Sequence, residues 1–408
     1  MNWRGKSAAR RLADTPTSGV LVPCPADSLD WDSTQHLLIE GDNLDAMKLL
    51  LPSHAGRVKL IYIDPPYNTG NGFVYPDTLD HSAWLSMMYP RLVLAHRMLR
   101  DDGVMFVSLD DNEAANFRLM CDEIFGEENF IATICHKARA SVSNDRIISA
   151  NHNLIALYAR DKATVFARRA GFGLEPDLEG FVLEDERGRY KLAPVDGPGG
   201  ASKGNPYYSF EGVAGFFRFS EQTMREKWND GLVVKIGNGL QQKYYLTGAE
   251  GSRKTDTTWW DDKLYTSTAT GRLNALMGAD VFKSPKPTEL IRRMLRLWAR
   301  DDGDIVMDFF AGSGTTGHAV LEQNAADGIG RRFVLVQIPE ELIEANRHQK
   351  VAALYCDRIG KPRTIAELTK ERLRRAATKL RSAATDVTGD TGFRVSKLIF
   401  PTPPRPIP

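Results

Sequence analysis

Apolar positions alternate between two rhythms from residue 36 to residue 126. HLLIE (36–40), VKLIYI (58–63) and VMFVSL (104–109) are short, nearly continuous apolar runs, the pattern of strands covered on both faces of a parallel sheet. LDAMKLLLP (44–52) and HSAWLSMMYPRLVLAHRML (81–99) have helical spacing, the second with Trp84, Met88, Leu92, Ala95 and Leu99 in register. Pro52 is expected to end the first of these helices, and AANFRLMCDEIFG (114–126) reads as a helix closed by its glycine. The alternation returns late in the chain as TELIRRMLRLWA (288–299), DIVMDFF (304–310), HAVLEQNAA (318–326) and RFVLVQI (332–338). This order predicts an α/β fold built on a doubly wound parallel sheet.

Between the two stretches the pattern breaks. Residues 161–280 are rich in Gly, aromatic and polar residues, with short strand-like runs at GLVVKI (231–236) and KYYL (243–246). The expected organisation is a lead-in of little pattern (1–34), one half of the α/β domain (35–160), an insert (161–280), the other half (281–360), and a basic helix with a tail (361–408). That helix, KPRTIAELTKERLRRAATKLR (361–381), holds eight Lys/Arg against two Glu. Its basic face is open to two readings, a solvated surface or a DNA-phosphate contact.

Composition narrows the classes. In 408 residues, 42% are hydrophobic and 26% charged, which excludes wholesale disorder, collagen and coiled coil. Lys+Arg 53 against Asp+Glu 52 excludes a protein coated in positive charge, but a local basic face is enough to hold nucleic acid. Cys24, Cys121, Cys135 and Cys356 are widely spaced, so neither a thiolate metal site nor a disulfide framework is expected. The N-terminal MNWRGKSAARRLADTP has no apolar h-region, and there is no run of about 18 apolar residues. The expectation is a cytoplasmic protein without a membrane span and without a bound metal.

Three clusters carry chemistry. DFFAGSGTTG (308–317) follows a buried strand and opens a helix. Its Gly312, Gly314 and Gly317 suit a tight turn that brings backbone close to a nucleotide-like ligand. A dinucleotide enzyme would carry an acid about 20 residues later for the ribose; Gln337 stands there, with Glu340 just beyond. DPPYNTG (64–70) directly follows VKLIYI. Its consecutive prolines remove two N–H donors, leaving an Asp carboxylate beside free carbonyls. Such a pair of acceptors suits a planar amine with two N–H donors, and Tyr67 offers a face for an aromatic base. GDN (41–43) puts Asp42 at the end of the preceding strand, where it either meets a ligand or caps a helix.

DPPY paired with F-x-G-x-G resembles the amino-methyltransferases of DNA that use S-adenosylmethionine. With DPPY ahead of the glycines and a variable insert between, the chain is similar to beta-class adenine methyltransferases, and more so to the modification subunits of type III restriction–modification systems. LIEGDNLDAMKLLLP (38–52), VSLDDNEAANFRLMCDEIFGEENF (107–130), WWDDK (259–263), VFKSPKPTELIRRML (281–295), FVLVQIPEE (333–341) and DTGFRVSKLIF (390–400) agree. The resemblance implies a Rossmann-like methyltransferase sheet with circularly permuted motif order, and a target-recognition insert. It implies Asp64, Pro65, Pro66 and Tyr67 as the catalytic tetrapeptide. Asp308, Phe310, Gly312, Ser313, Gly314 and Thr315 would line the cofactor's methionine end and Asp42 its adenine, with the ribose contact falling to either Gln337 or Glu340. It further implies methylation of adenine N6 in double-stranded DNA by base flipping, a homodimer, and a restriction subunit as partner. Arg253 and Lys254, near Trp259 and Trp260, mix charge with aromatics in the insert. HKARAS (136–141) and FKSPKP (282–287) are candidate phosphate contacts. Two rival readings are a cytosine-N4 methyltransferase and a dinucleotide-dependent oxidoreductase.

Overall fold

The computed structural model describes residues 1–68, 79–144, 147–383 and 389–401. Thr69 and Gly70 of DPPYNTG, and the tail from 402, lie outside the described residues. The described chain divides into two units, Met1–Arg169 with Thr257–Pro408, and Ala170–Asp256.

The larger unit is built on ten strands: β1 (Val20–Pro23), β2 (Leu37–Glu40), β3 (Val58–Ile63), β4 (Leu99–Leu109), β5 (Phe130–Lys137), β6 (His152–Ala159), β7 (Trp259–Trp260), β8 (Ile305–Asp308), β9 (Arg332–Gln337) and β10 (Arg394–Ile399). Among the described residues they form one sheet in the order β1-β10-β2-β9-β8-β3-β4-β6-β5-β7. The six strands from β10 to β4 run parallel. β6 turns back against β4, and β5 against β6. Its principal helices are α1 (Lys6–Leu12), α2 (Asn43–His54), α3 (His81–Met98), α4 (Ala114–Phe125), α5 (Thr266–Met277), α6 (Thr288–Trp298), α7 (Thr315–Asp327), α8 (Lys350–Arg358) and α9 (Ile365–Ala383).

Both faces of the sheet are covered, which is why VKLIYI reads as an unbroken apolar run: all six of its residues are buried. Ile61, Ile63, Met105 and Val336 share a core with Met47 of α2, Trp84 and Met88 of α3, and Phe117 of α4. On the opposite face Phe106 meets Trp298 of α6 with ring centroids 5.5 Å apart. There α7 lies so close that a Cβ on Gly317 would sit 2.8 Å from Leu335 and from Leu373. Lys59, the one charge inside β3, is held by Asp102 at 2.9 Å. This doubly wound sheet is the predicted fold class.

Several expectations differ from what is observed. Residues 1–34 are structured. Ala9 of α1 is buried, Trp3 Nε1 donates to Ser86 Oγ at 2.9 Å, and β1 pairs antiparallel with β10 at the sheet edge. A four-residue strand whose partner lies near the other end of the chain has too few positions to show a period. Pro52 does not end α2, which continues to His54; near a C-terminus the lost N–H bond removes little of the helix ladder. The second unit, Ala170–Asp256, is shorter than the insert expected over 161–280. Trp259 and Trp260 belong to the large sheet, paired parallel to Cys135 and His136 of β5. The second unit itself holds a four-stranded antiparallel sheet and a small core of Val195, Phe210, Phe217, Met224, Val233 and Leu240.

Candidate active site

The strand order brings together motifs that are far apart in sequence. β2, β9, β8 and β3 are consecutive neighbours. Asp42, Gln337, the glycine loop and DPPY therefore stand at the carboxyl ends of four adjacent strands, the place where open α/β sheets bind ligands.

Asp64 follows β3 and is only partly buried. Its Oδ1 accepts the Tyr67 hydroxyl at 2.6 Å. Lys286, 8% exposed, donates to both carboxylate oxygens at 2.7 and 2.6 Å, and its Nζ lies 4.9 Å from the centre of the Tyr67 ring. The two proline carbonyls have different fates. That of Pro66 accepts the Trp84 indole N–H at 2.8 Å. Pro65 is buried at the end of the strand, next to Asp64. Beyond Tyr67, Asn68 takes a positive φ of 61° and donates to Glu113 at 2.8 Å. Fully buried Glu113 also meets His81 and Asn116, so the segment that follows Asp64 is anchored at Pro66 and at Asn68.

The glycine loop follows β8. Gly312 and Gly314 have φ of 52° and 80°. Space does not forbid a side chain on Gly312, where a Cβ would meet nothing nearer than 3.5 Å, so backbone conformation is the constraint there. Gly317 is a packing glycine, pressed between β9 and α9. Asp308 is 3% exposed, its Oδ1 accepting the Phe310 N–H and its Oδ2 the Thr316 hydroxyl. Burial pushes this carboxyl up to about 7, with those two hydrogen bonds opposing and the Asp64 charge adding to the rise. Ser313 and Thr315 accept from Arg372 at 2.7 and 2.8 Å. Arg372 is buried, and desolvation lowers its pKa to about 10.

The two flanking positions are engaged within the protein. Asp42 caps α2 through the N–H groups of Leu44 and Asp45 and accepts Arg91 at 3.0 Å. Neighbouring Asn43 donates to the Phe309 carbonyl, tying α2 to the glycine loop. Gln337 Oε1 accepts the Gly312 N–H at 2.6 Å and its amide donates to the Ile338 carbonyl. Gln337 is thus a strut of the loop. Glu340, three residues on, is half-buried, and burial alone raises its pKa.

One small cavity, of about 50 Å³, joins these parts. Asp64, Lys286, Phe282, Asp308, Phe310, Gly312 and Ser313 are among the residues that line it. The Asp64 carboxylate and the glycine loop thus border one shared space.

Several functional contacts were not legible in the sequence. Lys286 belongs to FKSPKP, expected to hold phosphate, yet it is spent on Asp64. The basic C-terminal helix is neither a solvated face nor a phosphate surface along its inner side. Lys370 is buried against Glu40 and Glu367, Arg372 holds Ser313 and Thr315, and Thr369 donates to the Gly312 carbonyl at 2.6 Å. In HKARAS, His136 is buried and within 3.1 Å of the Leu264 carbonyl.

Comparison with known proteins agrees with this geometry. Residues 58–347 match the family N6_N4_Mtase, described as DNA methylase. The chain is 33% identical to the type III restriction–modification enzyme StyLTI Mod subunit of Salmonella typhimurium, over 98% of this chain and 66% of that protein. It is 30% identical to the EcoPI Mod subunit of Escherichia phage P1, over 97% of this chain and 70% of that protein. It is 29% identical to the type II methyltransferase M.KpnI of Klebsiella pneumoniae, over 75% and 81%. The chain therefore spans about two thirds of the length of the two Mod subunits.

Proposed function

The chain belongs to the N6_N4 DNA methylase family, and on that premise we propose that it transfers a methyl group from S-adenosylmethionine to the N6 amine of adenine in double-stranded DNA. The observation that carries the reading is the single cavity shared by the Asp64 carboxylate and the Gly312–Ser313 loop. Asp at the head of the tetrapeptide favours adenine over cytosine N4. A dinucleotide oxidoreductase leaves DPPY without a role.

The adenine amine is conjugated with its ring, so its lone pair is a poor nucleophile. Asp64 and the Pro65 carbonyl accept its two N–H bonds, drawing the nitrogen toward tetrahedral geometry and freeing the lone pair. The Pro66 carbonyl is already taken by Trp84, which supports Pro65 as the second acceptor. Asp64 already holds two donors, so the incoming amine displaces or shares with Tyr67 or Lys286. The Tyr67 ring supplies a stacking face for the extruded base, returning roughly 1–3 kcal/mol of the few that unstacking costs. S-adenosylmethionine, when bound, supplies an electrophilic methyl. Gly312, Ser313, Gly314, Thr315 and Phe310 hold its methionine end, with Asp308 and Gln337 fixing the loop's shape. Glu340 is the ribose contact, because its carboxylate is not spent on the loop as the Gln337 amide is. Asp42 lies toward the adenine through the ordered start of α2. Positioning and electrostatics carry the rate.

The proposal includes a homodimer, with the Ala170–Asp256 unit as reader of sequence. The relatives are named as Mod subunits of restriction–modification enzymes, which supports a restriction subunit as a further partner. No helix among the described residues is long and apolar enough to cross a membrane, in keeping with a cytoplasmic site of action. The test is incubation of unmethylated DNA with labelled cofactor, followed by nucleoside analysis and by light scattering with and without DNA. Label is expected in N6-methyladenine. Asp64→Ala is expected to abolish transfer and keep cofactor binding. Label in N4-methylcytosine, or transfer by Asp64→Ala above about one hundredth of wild type, would overturn the reading.

A further inference from the structure

The hairpin between β5 and β6 carries a feature that the chemistry above does not use. Its connection runs from 138 to 151, and Ile147 and Ile148 are 104% and 83% exposed. Val142, on the same loop, is exposed as well. Isoleucines standing free in water gain nothing for the fold, and they sit among polar residues of the loop: Ser141, Ser143, Asn144, Ser149 and Asn151.

The loop's base is fixed. The Asn151 carbonyl accepts the N–H groups of Ala138 and Arg139, and the Ala138 carbonyl accepts that of Thr266. Asn151 Nδ2 donates to the Ser141 carbonyl at 3.0 Å, and Ser149 Oγ accepts the Ser143 N–H at 2.9 Å. The apolar tip is therefore presented on a hydrogen-bonded neck.

Register fixes where this tip stands. Ile63, the residue before Asp64, pairs with Val107; Val107 pairs with Ala156, and Ala156 with Thr133. The hairpin strands continue four residues past that level, to His152 and Lys137, which carries them roughly 13 Å beyond the sheet's carboxyl edge. β6 is two strands away from β3, a lateral offset of roughly 10 Å. The loop therefore rises beside the mouth of the crevice that holds Asp64. Exposed Arg139, at its base, adds a positive charge on the same loop.

We propose that Ile147 and Ile148 form an apolar wedge that enters the DNA base stack when the target base leaves it. The inference rests on the base-flipping methyltransferase reading. A flipped base leaves a gap whose floor and ceiling are the flat faces of neighbouring bases. Isoleucine and similar apolar side chains fill such steps, removing their own surface from water as they keep the duplex open. Arg139 is suited to the phosphate beside the opened step.

The test uses the full-length enzyme with wild-type and Ile147→Ser/Ile148→Ser proteins. The recognition sequence is first read from DNA methylated by the wild type. Duplexes carrying it are then made with a fluorescent adenine analogue at the target position, whose emission rises on unstacking. The double variant is expected to methylate the matched duplex at least about tenfold more slowly, with a weaker flipping signal, at unchanged affinity for S-adenosylmethionine. An abasic site opposite the target removes the pairing that the wedge opposes. On that duplex the variant is expected to come within about threefold of wild type. Wild-type rate and signal in the double variant would overturn the proposal. So would an equal deficit on both duplexes, which marks a plain binding contact, or loss of a dimer in light scattering, which marks a face covered by a second copy. A wild-type enzyme that methylates no adenine defeats the underlying reading instead, and does so before any variant is made.

Discussion

Replacing Asp308 by Asn asks whether the carboxyl beneath the glycine loop is a neutral strut or a working charge. It is fully buried and bonded to the Phe310 N–H and the Thr316 hydroxyl, and its pKa rises from 3.8 to about 7, chiefly through burial. A shift of about three units at about 1.4 kcal/mol each corresponds to roughly 4 kcal/mol. The sign follows from proton binding. The folded state holds this proton more tightly than the unfolded chain, so the group's contribution is greatest below about pH 4. It falls as pH rises to about 7 and is constant above that. Asparagine keeps the shape and an acceptor for Phe310 but carries no charge, so it removes this pH dependence. For a chain of this length about 1 kcal/mol moves the melting temperature by about 1 °C. The melting temperature of Asp308→Asn relative to wild type is therefore expected to climb by about 3 °C between pH 5 and pH 7 and then level off. Taking the difference cancels the other titrating groups. Calorimetric titration of S-adenosylmethionine at pH 8 completes the assay, with affinity expected to stay within about threefold of wild type. A melting difference independent of pH, or collapse of cofactor binding in a folded variant, would refute the strut.

Two further outcomes are expected. Lys286→Gln removes the cation held against both oxygens of Asp64. It should lower kcat about 10- to 100-fold with little change in the cofactor's KM, read in steady-state kinetics; an unchanged kcat would deny Lys286 a part in setting the carboxylate. Gly312→Val forces a β-branched residue into φ 52°, a strain on the order of 1–2 kcal/mol that is relieved by moving the loop. Cofactor affinity by calorimetry should fall about tenfold or more, and retention of full affinity would count against the loop as the binding element.

The sequence by itself determined the central parallel strands β2, β3, β4, β8 and β9 and the DPPY and glycine motifs that follow two of them, because each is a local pattern. VKLIYI is apolar throughout since both faces of β3 are covered, and DPPY and AGSG announce themselves because their chemistry resides in neighbouring backbone groups. Helix ends read well at Gly126, whose φ of 88° closes α4. What only the tertiary structure decided is how these motifs are completed. Lys286 reaches Asp64 across 222 positions of sequence, and Arg372 reaches Ser313 across 59. A lysine or arginine in a basic run carries no local mark of whether it faces water, phosphate or a buried carboxylate. Burial and partner decide that, and both are properties of the sheet order β2-β9-β8-β3 and of the helix packed behind it. The same holds for β1 and β10, which bring opposite ends of the chain to one sheet edge. Backbone pairing between such short segments depends on where the rest of the fold delivers them, and little on which residues they contain.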